Sequence, residues 1–92
     1  MVPAPKDLKV DKVGATSCDL GWSKAEELEK IPQSFKISYN APGTEPLAVF
    51  TDNCNETLTD LLPNTKYSVS VSSVLDNGEE SEPVSTTILT GE

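Results

Sequence analysis

The chain predicts an all-β fold, two antiparallel sheets packed as a sandwich of about seven strands. Three observations carry that expectation. The run Leu61-Leu62-Pro63-Asn64-Thr65-Lys66-Tyr67 is a turn that delivers a tyrosine onto a strand, where Val69 and Val71 then alternate with serines. Upstream, Cys18, Leu20 and Trp22 share one face of a period-two segment while Asp19 and Gly21 share the other. Turn-forming clusters recur about every 8–12 residues, the spacing of a sandwich.

The elements follow in order. Leu8 and Val10 alternate with Lys6, Asp7, Lys9 and Asp11, which predicts a half-buried first strand with Pro3 and Pro5 at its mouth, where an edge tolerates them. Gly14-Ala15-Thr16-Ser17 is a turn, and the second strand runs through Cys18, Leu20 and Trp22. Ser23 to Pro32 is polar and acidic. Its Ala25–Lys30 stretch favours helix but is too short to hold one alone, so a loop with at most one turn is expected. Phe35, Ile37 and Tyr39 make a third strand ending at Asn40-Ala41-Pro42-Gly43, and Leu47–Thr51 a weaker fourth. Asp52-Asn53-Cys54-Asn55 reads as a turn before a short strand over Thr57–Thr59. Tyr67, Val69, Val71 and Ser73 lie on the longest strand, with serines on its outer face. Asp76-Asn77-Gly78-Glu79 is a hairpin signal, because Asn-Gly supplies the positive φ angles of tight turns. Val84, Thr86 and Ile88 close the sheet. The core is expected to be Leu20, Trp22, Phe35, Ile37, Leu61, Tyr67, Val69 and Val71.

Ninety-two residues make one domain, and 36% apolar content makes a modest core. Residues 1–4 are expected to be linker, 5–90 the domain and 91–92 a second linker, so that the chain is one module of a longer protein. No apolar run approaches the ~20 residues that span a bilayer, and no leader pattern precedes the fold. The formal charge is −8, and lysine is the only cation. A nucleic-acid partner needs a basic stripe, and an anionic lipid surface needs a basic cluster; the sequence carries neither. Two cysteines, Cys18 and Cys54, are too few for a disulfide framework and too far apart for Cys-x-x-Cys. One bridge or two free thiols remain open on this ground alone.

At this point the sequence resembles a fibronectin type III domain, an immunoglobulin-like sandwich, from Pro5 to Thr90. The resemblance rests on Pro5-x-x-Leu8-x-Val10, Thr16-Ser17-x-x-Leu20-x-Trp22 and Phe35-x-Ile37-x-Tyr39, followed by Leu61-x-Pro63-x-Thr65-x-Tyr67-x-Val69-x-Val71 and Ser81-x-Pro83. It implies that Trp22 fills the space between the sheets and that Tyr67 ties its hydroxyl to the main chain at a tyrosine corner. It implies no obligatory disulfide, hence two unpaired thiols, with Cys18 as a small inward-facing hydrophobe. Ala25 stands where the family often has proline, and the acidic loop around it is longer than usual.

Catalysis has little to work with: no histidine, no phosphate-binding glycine loop, no nucleophile elbow. No enzyme, cofactor or metal site is expected, the Asn-Gly turn accounting for the oxygen-rich Asp76–Glu80 run without calcium. Asn55-Glu56-Thr57 is an N-glycosylation sequon, which matters if the parent protein is secreted. Family habit points to the extracellular side, while unpaired cysteines also suit an intracellular protein. Integrin ligation through Arg-Gly-Asp is excluded, since the chain has no arginine.

The expected function is a non-catalytic spacer or protein-interaction module, monomeric in isolation, whose partners are proteins or neighbouring domains of the same chain. In the family arrangement the loops Ser23–Pro32 and Asp76–Glu82 emerge at one end. Candidate partner-binding residues are therefore Glu26, Glu27, Glu29, Asp76, Asn77, Gly78, Glu79 and Glu80, offset only by Lys24 and Lys30. A ligand there would present basic groups.

Overall fold

The computed structural model describes residues 2–92. Its strands are β1 (Lys6–Val13), β2 (Cys18–Ser23), β3 (Gln33–Asn40), β4 (Leu47–Thr51), β5 (Asn55–Leu58), β6 (Lys66–Leu75) and β7 (Val84–Leu89). One 3-10 turn, Glu26–Leu28, interrupts the connection from β2 to β3. The strands form a three-stranded sheet in the order β1-β2-β5 and a four-stranded sheet in the order β4-β3-β6-β7. Every pairing is antiparallel. The all-β, two-sheet reading is correct.

Side-chain alternation places one face of each sheet inward. Leu20 and Cys18 from β2 and Leu58 from β5 meet Phe35 and Ile37 from β3 and Val69 and Val71 from β6 in a single buried cluster. The register makes this possible: Ile37 lies opposite Val71 and Tyr39 opposite Val69, so the aromatic and β-branched positions stack across the ladder. Trp22 is 5% exposed and packs edge-on against Phe35, ring centroids 5.5 Å apart. Leu61 is buried where the chain turns from β5 into β6, and Ile88 is buried on β7.

Tyr67 lies inward and Tyr39 tilts against it at 6.4 Å. At the corner, the Leu62 N–H donates to the Tyr67 hydroxyl oxygen at 2.8 Å. The bond is main-chain to side-chain, but the tyrosine accepts: the partner is a backbone donor, not an acceptor. Asp60 and Asn64 both adopt left-handed backbone, φ 60° and 50°, on either side of the corner. Such short polar residues tolerate that region best after glycine.

Several elements differ from the sequence reading. β5 begins at Asn55 and ends at Leu58, two residues earlier than expected at its start, because Asn55 pairs with Gly21 and Leu58 with Cys18. Pairing with β2, not local propensity, makes Asn55 and Glu56 strand. In the connection after β6, only Gly78 has positive φ, 90°; Asn77 does not. The Gly78 N–H donates to Leu75 O at 2.9 Å and the Leu75 N–H to Glu79 O at 2.8 Å, a common turn closed by a glycine bulge in place of a two-residue primed turn. Ser68 is exposed and Ser70 half-buried, as an outer face requires, but Ser72 is buried beside Lys36, its cross-strand neighbour. Ser73 is fully buried opposite Phe35. Its N–H donates to Ser81 Oγ at 2.8 Å and its carbonyl accepts from the Ser81 N–H at 2.9 Å, so Ser81 satisfies both main-chain groups of Ser73 between β7 and the Val74–Glu80 bridge. Ahead of β1, Val2 is buried with Ala25 and Leu28 in a small cluster against which Leu75 packs. Met1, expected to lie in the linker before the domain, is outside the described residues.

Candidate functional site

The candidate surface is the end of the sandwich where β2, β6 and the start of β3 meet. The register sets Gln33 opposite Leu75, which brings the loop before β3 and the turn after β6 to the same end. The loop is tied down. Gln33 Nε2 donates to Leu28 O at 2.6 Å and to Ile31 O at 3.2 Å, and Leu28 itself is buried. Glu26 and Glu27 stand exposed on the 3-10 turn and Glu29 just after it. Across from them the β6–β7 turn is ordered by Asn77, whose Oδ1 accepts from the Glu79 N–H at 2.9 Å. Leu28 and Leu75 face inward, so of the apolar residues in these loops Ile31 is the exposed one.

The charges at this end are divided more than a count along the sequence suggests. Lys6 Nζ lies 3.3 Å from Glu26, and Lys36 Nζ 3.8 Å from Glu80. Lys6 arrives because β1 starts here, opposite Ser23; Lys36 arrives from β3. Lys24 and Lys30 are therefore not the only offset. Both pairs are exposed, where an ion pair contributes little to stability. An open cleft of about 600 Å³ beside the 3-10 turn is lined by Lys6, Lys24, Lys30, Asp7, Glu29 and Cys54. Among the described residues Glu27, Glu29, Asp76 and Glu79 make no ion pair, and they define the acidic side.

The opposite end holds something the sequence reading missed. A groove of about 220 Å³ runs between the β3–β4 and β5–β6 connections, lined chiefly by Tyr39, Leu47, Leu61, Leu62 and Tyr67, with Glu45 and Asp60 at its rim. Leu47 is 58% and Leu62 51% exposed. The doublet Leu61-Leu62 was the available signal, because adjacent residues in an extended turn cannot both face the core.

The cysteines are both free, Cys18 buried and Cys54 half-buried. Geometry explains why. Cys18 faces Leu58, whereas the Trp22 N–H donates to Cys54 O, so the two cysteines lie four residues apart along one ladder. That is about 13 Å, against the ~7 Å limit for bridging Cα atoms. Burial first, and the charge of Asp19 second, push the Cys18 thiol up, which keeps it protonated and inert. Asn55 stands exposed at the start of β5. No cluster of three or more ligating side chains suited to a metal occurs among the described residues. Among the described residues no helix is long and apolar enough to cross a membrane.

A sandwich with this strand order, a central tryptophan and a tyrosine-latched corner defines the class, and sequence comparison then defines the family. The fibronectin type III domain model matches residues 3–87, and the chain belongs to that family. It is 35% identical over 89 residues to Tenascin-R of Homo sapiens, and equally to that of Mus musculus. The match covers 89% of this chain but 6% of the human protein's length. Among solved structures, the FN3 domain of human collagen XX superposes with a TM-score of 0.85 at 27% identity, covering 98% of this chain and 93% of that one. The FN1–FN3 segment of chicken CNTN1 reaches 0.86 at 22% identity, covering 100% of this chain and 32% of that one, a likeness of fold alone.

Proposed function

We propose that this chain is a non-catalytic module of a larger multidomain protein on the extracellular side, one that spaces its neighbours and meets protein partners at its ends. The observation that carries the reading is the separation of its termini. β1 starts beside Ser23 at one end, and past β7 the Gly91 N–H donates to Gly14 O at the other. The domain is 40 Å long and 16 Å across its thinnest dimension, so a chain threaded through it gains length at each module. A neighbour joined after residue 92 would rest against Leu47 and Leu62, whose exposure suits a modest interdomain contact. Fluorophores placed at Ala4 and Gly91 test this. A separation near the long dimension supports the spacer, and one near the thin dimension overturns it.

A second reading is favoured by the acidic side of the first end, where Glu27, Glu29, Asp76 and Glu79 lack ion pairs. It is recognition of a partner that presents basic groups. Rim charges act mainly on the encounter rate and are screened by salt. A lysine-rich peptide titrated into isotopically labelled chain should shift the amides of Glu26–Glu29 and Asp76–Glu80 at low ionic strength and lose most of that effect at high. Charge neutralisation at Glu27, Glu29, Asp76 and Glu79 should abolish it. Shifts elsewhere, or none, leave the spacer alone.

A further inference from the structure

We propose that Asn55 is the attachment site of an N-linked glycan whose first sugar lies over Gly21 on the outer face of the three-stranded sheet. The chain contains one Asn-x-Ser/Thr triplet, Asn55-Glu56-Thr57, with glutamate and not proline in the middle. A triplet alone is a common coincidence; what surrounds this one is not. Alternation along β5 turns Leu58 into the core and leaves Asn55 and Thr57 together on the outer face, both exposed. β5 is the last strand of its sheet, so no further strand crowds it on the far side. Across the ladder from Asn55 stands Gly21, which has no side chain.

Beside this pair lies a shallow depression of about 260 Å³, lined by Asp11, Asp19, Leu20, Asn55, Glu56 and Thr57. A Cβ at position 21 would stand 3.1 Å from Asp11 Oδ2, so any other residue would displace the wall of the depression. The Asp11 and Asp19 carboxylates offer acceptors to sugar hydroxyls next to the amide nitrogen that would carry the sugar. Thr57 Oγ1 donates to Asp19 Oδ1 at 2.8 Å once the strands have paired. The hydroxyl that the triplet requires thus stands on the exposed outer face beside Asn55.

The donor is an oligosaccharide carried on a lipid diphosphate. The Asn55 amide nitrogen bonds to C1 of the first N-acetylglucosamine and loses one proton. The C1–oxygen bond to the diphosphate breaks, and the lipid diphosphate leaves with the electron pair. This inference shares with the proposed function only the extracellular placement.

The test directs the chain into the secretory pathway of mammalian cells behind a leader and weighs it intact, secreted and lumenal fractions alike. We expect one glycan per chain, removed by a peptide amidase that converts Asn55 to Asp. Asn55→Gln and Thr57→Ala should lose it, and Thr57→Ser should keep it. A bare chain in both fractions overturns the site, whatever happens at the acidic end. For the seating, chain trimmed to its first sugar is compared by amide NMR with unglycosylated chain that keeps Asn55. Shifts at Gly21 and Asp11 support it; shifts confined to Cys54–Glu56 overturn it.

Discussion

Tyr67 holds the corner with its oxygen and not its proton. Removing that oxygen in Tyr67→Phe strands the Leu62 N–H, which is then without an acceptor at a half-buried site. The expected loss is about 1–3 kcal/mol, seen as a lower denaturant midpoint at unchanged slope. Two serines show how sign depends on partners. Ser73 Oγ is buried with no hydrogen bond, whereas Ser81 Oγ receives the Ser73 N–H and donates to Glu82 O at 3.0 Å. Ser73→Ala should therefore leave the melting temperature unchanged or raise it. Ser81→Ala should lower stability by about 1–3 kcal/mol, since it leaves a buried donor unmet. Equal effects would show that the Ser81 hydroxyl does not hold the Ser73 N–H. Trp22→Ala removes the ring that Phe35 packs against and should cost about 3–5 kcal/mol, much of a small domain's stability. At Cys18 the raised thiol pKa sets a pH dependence. The unfolded thiol ionises near pH 8.5 while the folded one stays protonated, so the unfolded state binds fewer protons and stability falls above that pH. Urea titrations at rising pH should show a shallower decline in Cys18→Ala.

Among the elements, the connection from β6 to β7 is decided by one glycine. Gly78 at φ 90° meets nothing within 4 Å at its missing Cβ, so Gly78→Ala is a test of backbone strain without a clash. About 1–2 kcal/mol of destabilisation is expected from that conformation, measurable as a midpoint shift. An Asn77→Gly chain, by contrast, relieves no positive φ and removes the Oδ1 acceptor of Glu79, so it should destabilise slightly and not stabilise. β5 illustrates the other kind of element. Four residues with one buried side chain form no strand alone; its register against β2 makes it one.

Over the whole molecule the cysteines and charges have definite consequences. Intact mass should match the reduced chain, with Cys54 labelled by a thiol reagent in the native state and Cys18 only after unfolding. A mass two daltons lower, as expected for one disulfide, would require the four-residue offset along β2 to collapse. Both ends of the domain are available for contact, and they differ in kind: one charged and divided by sign, the other apolar with an acidic rim. Salt should therefore weaken association at the first end and leave contact at the second nearly unchanged.

The inward positions of β2, β3 and β6 were legible because period-two alternation is a local property, and burial of one face enforces it wherever a second sheet is present. Trp22, Phe35, Ile37, Tyr67, Val69 and Val71 could be read from it directly. The Asn-Gly turn could also be placed, though not its type, since φ at Asn77 depends on how the flanking strands twist. Other facts were not in the chain order at all. Lys6 and Lys36 reach the acidic end because β1 and β3 pair where they do, and Asn55 meets bare Gly21 because β5 aligns with β2. Leu62 is exposed because Leu61 takes the single inward place. Long-range pairing joins residues whose sequence separation carries no information about their contact, so charge balance, groove and sugar-sized depression exist only once the sheets have assembled.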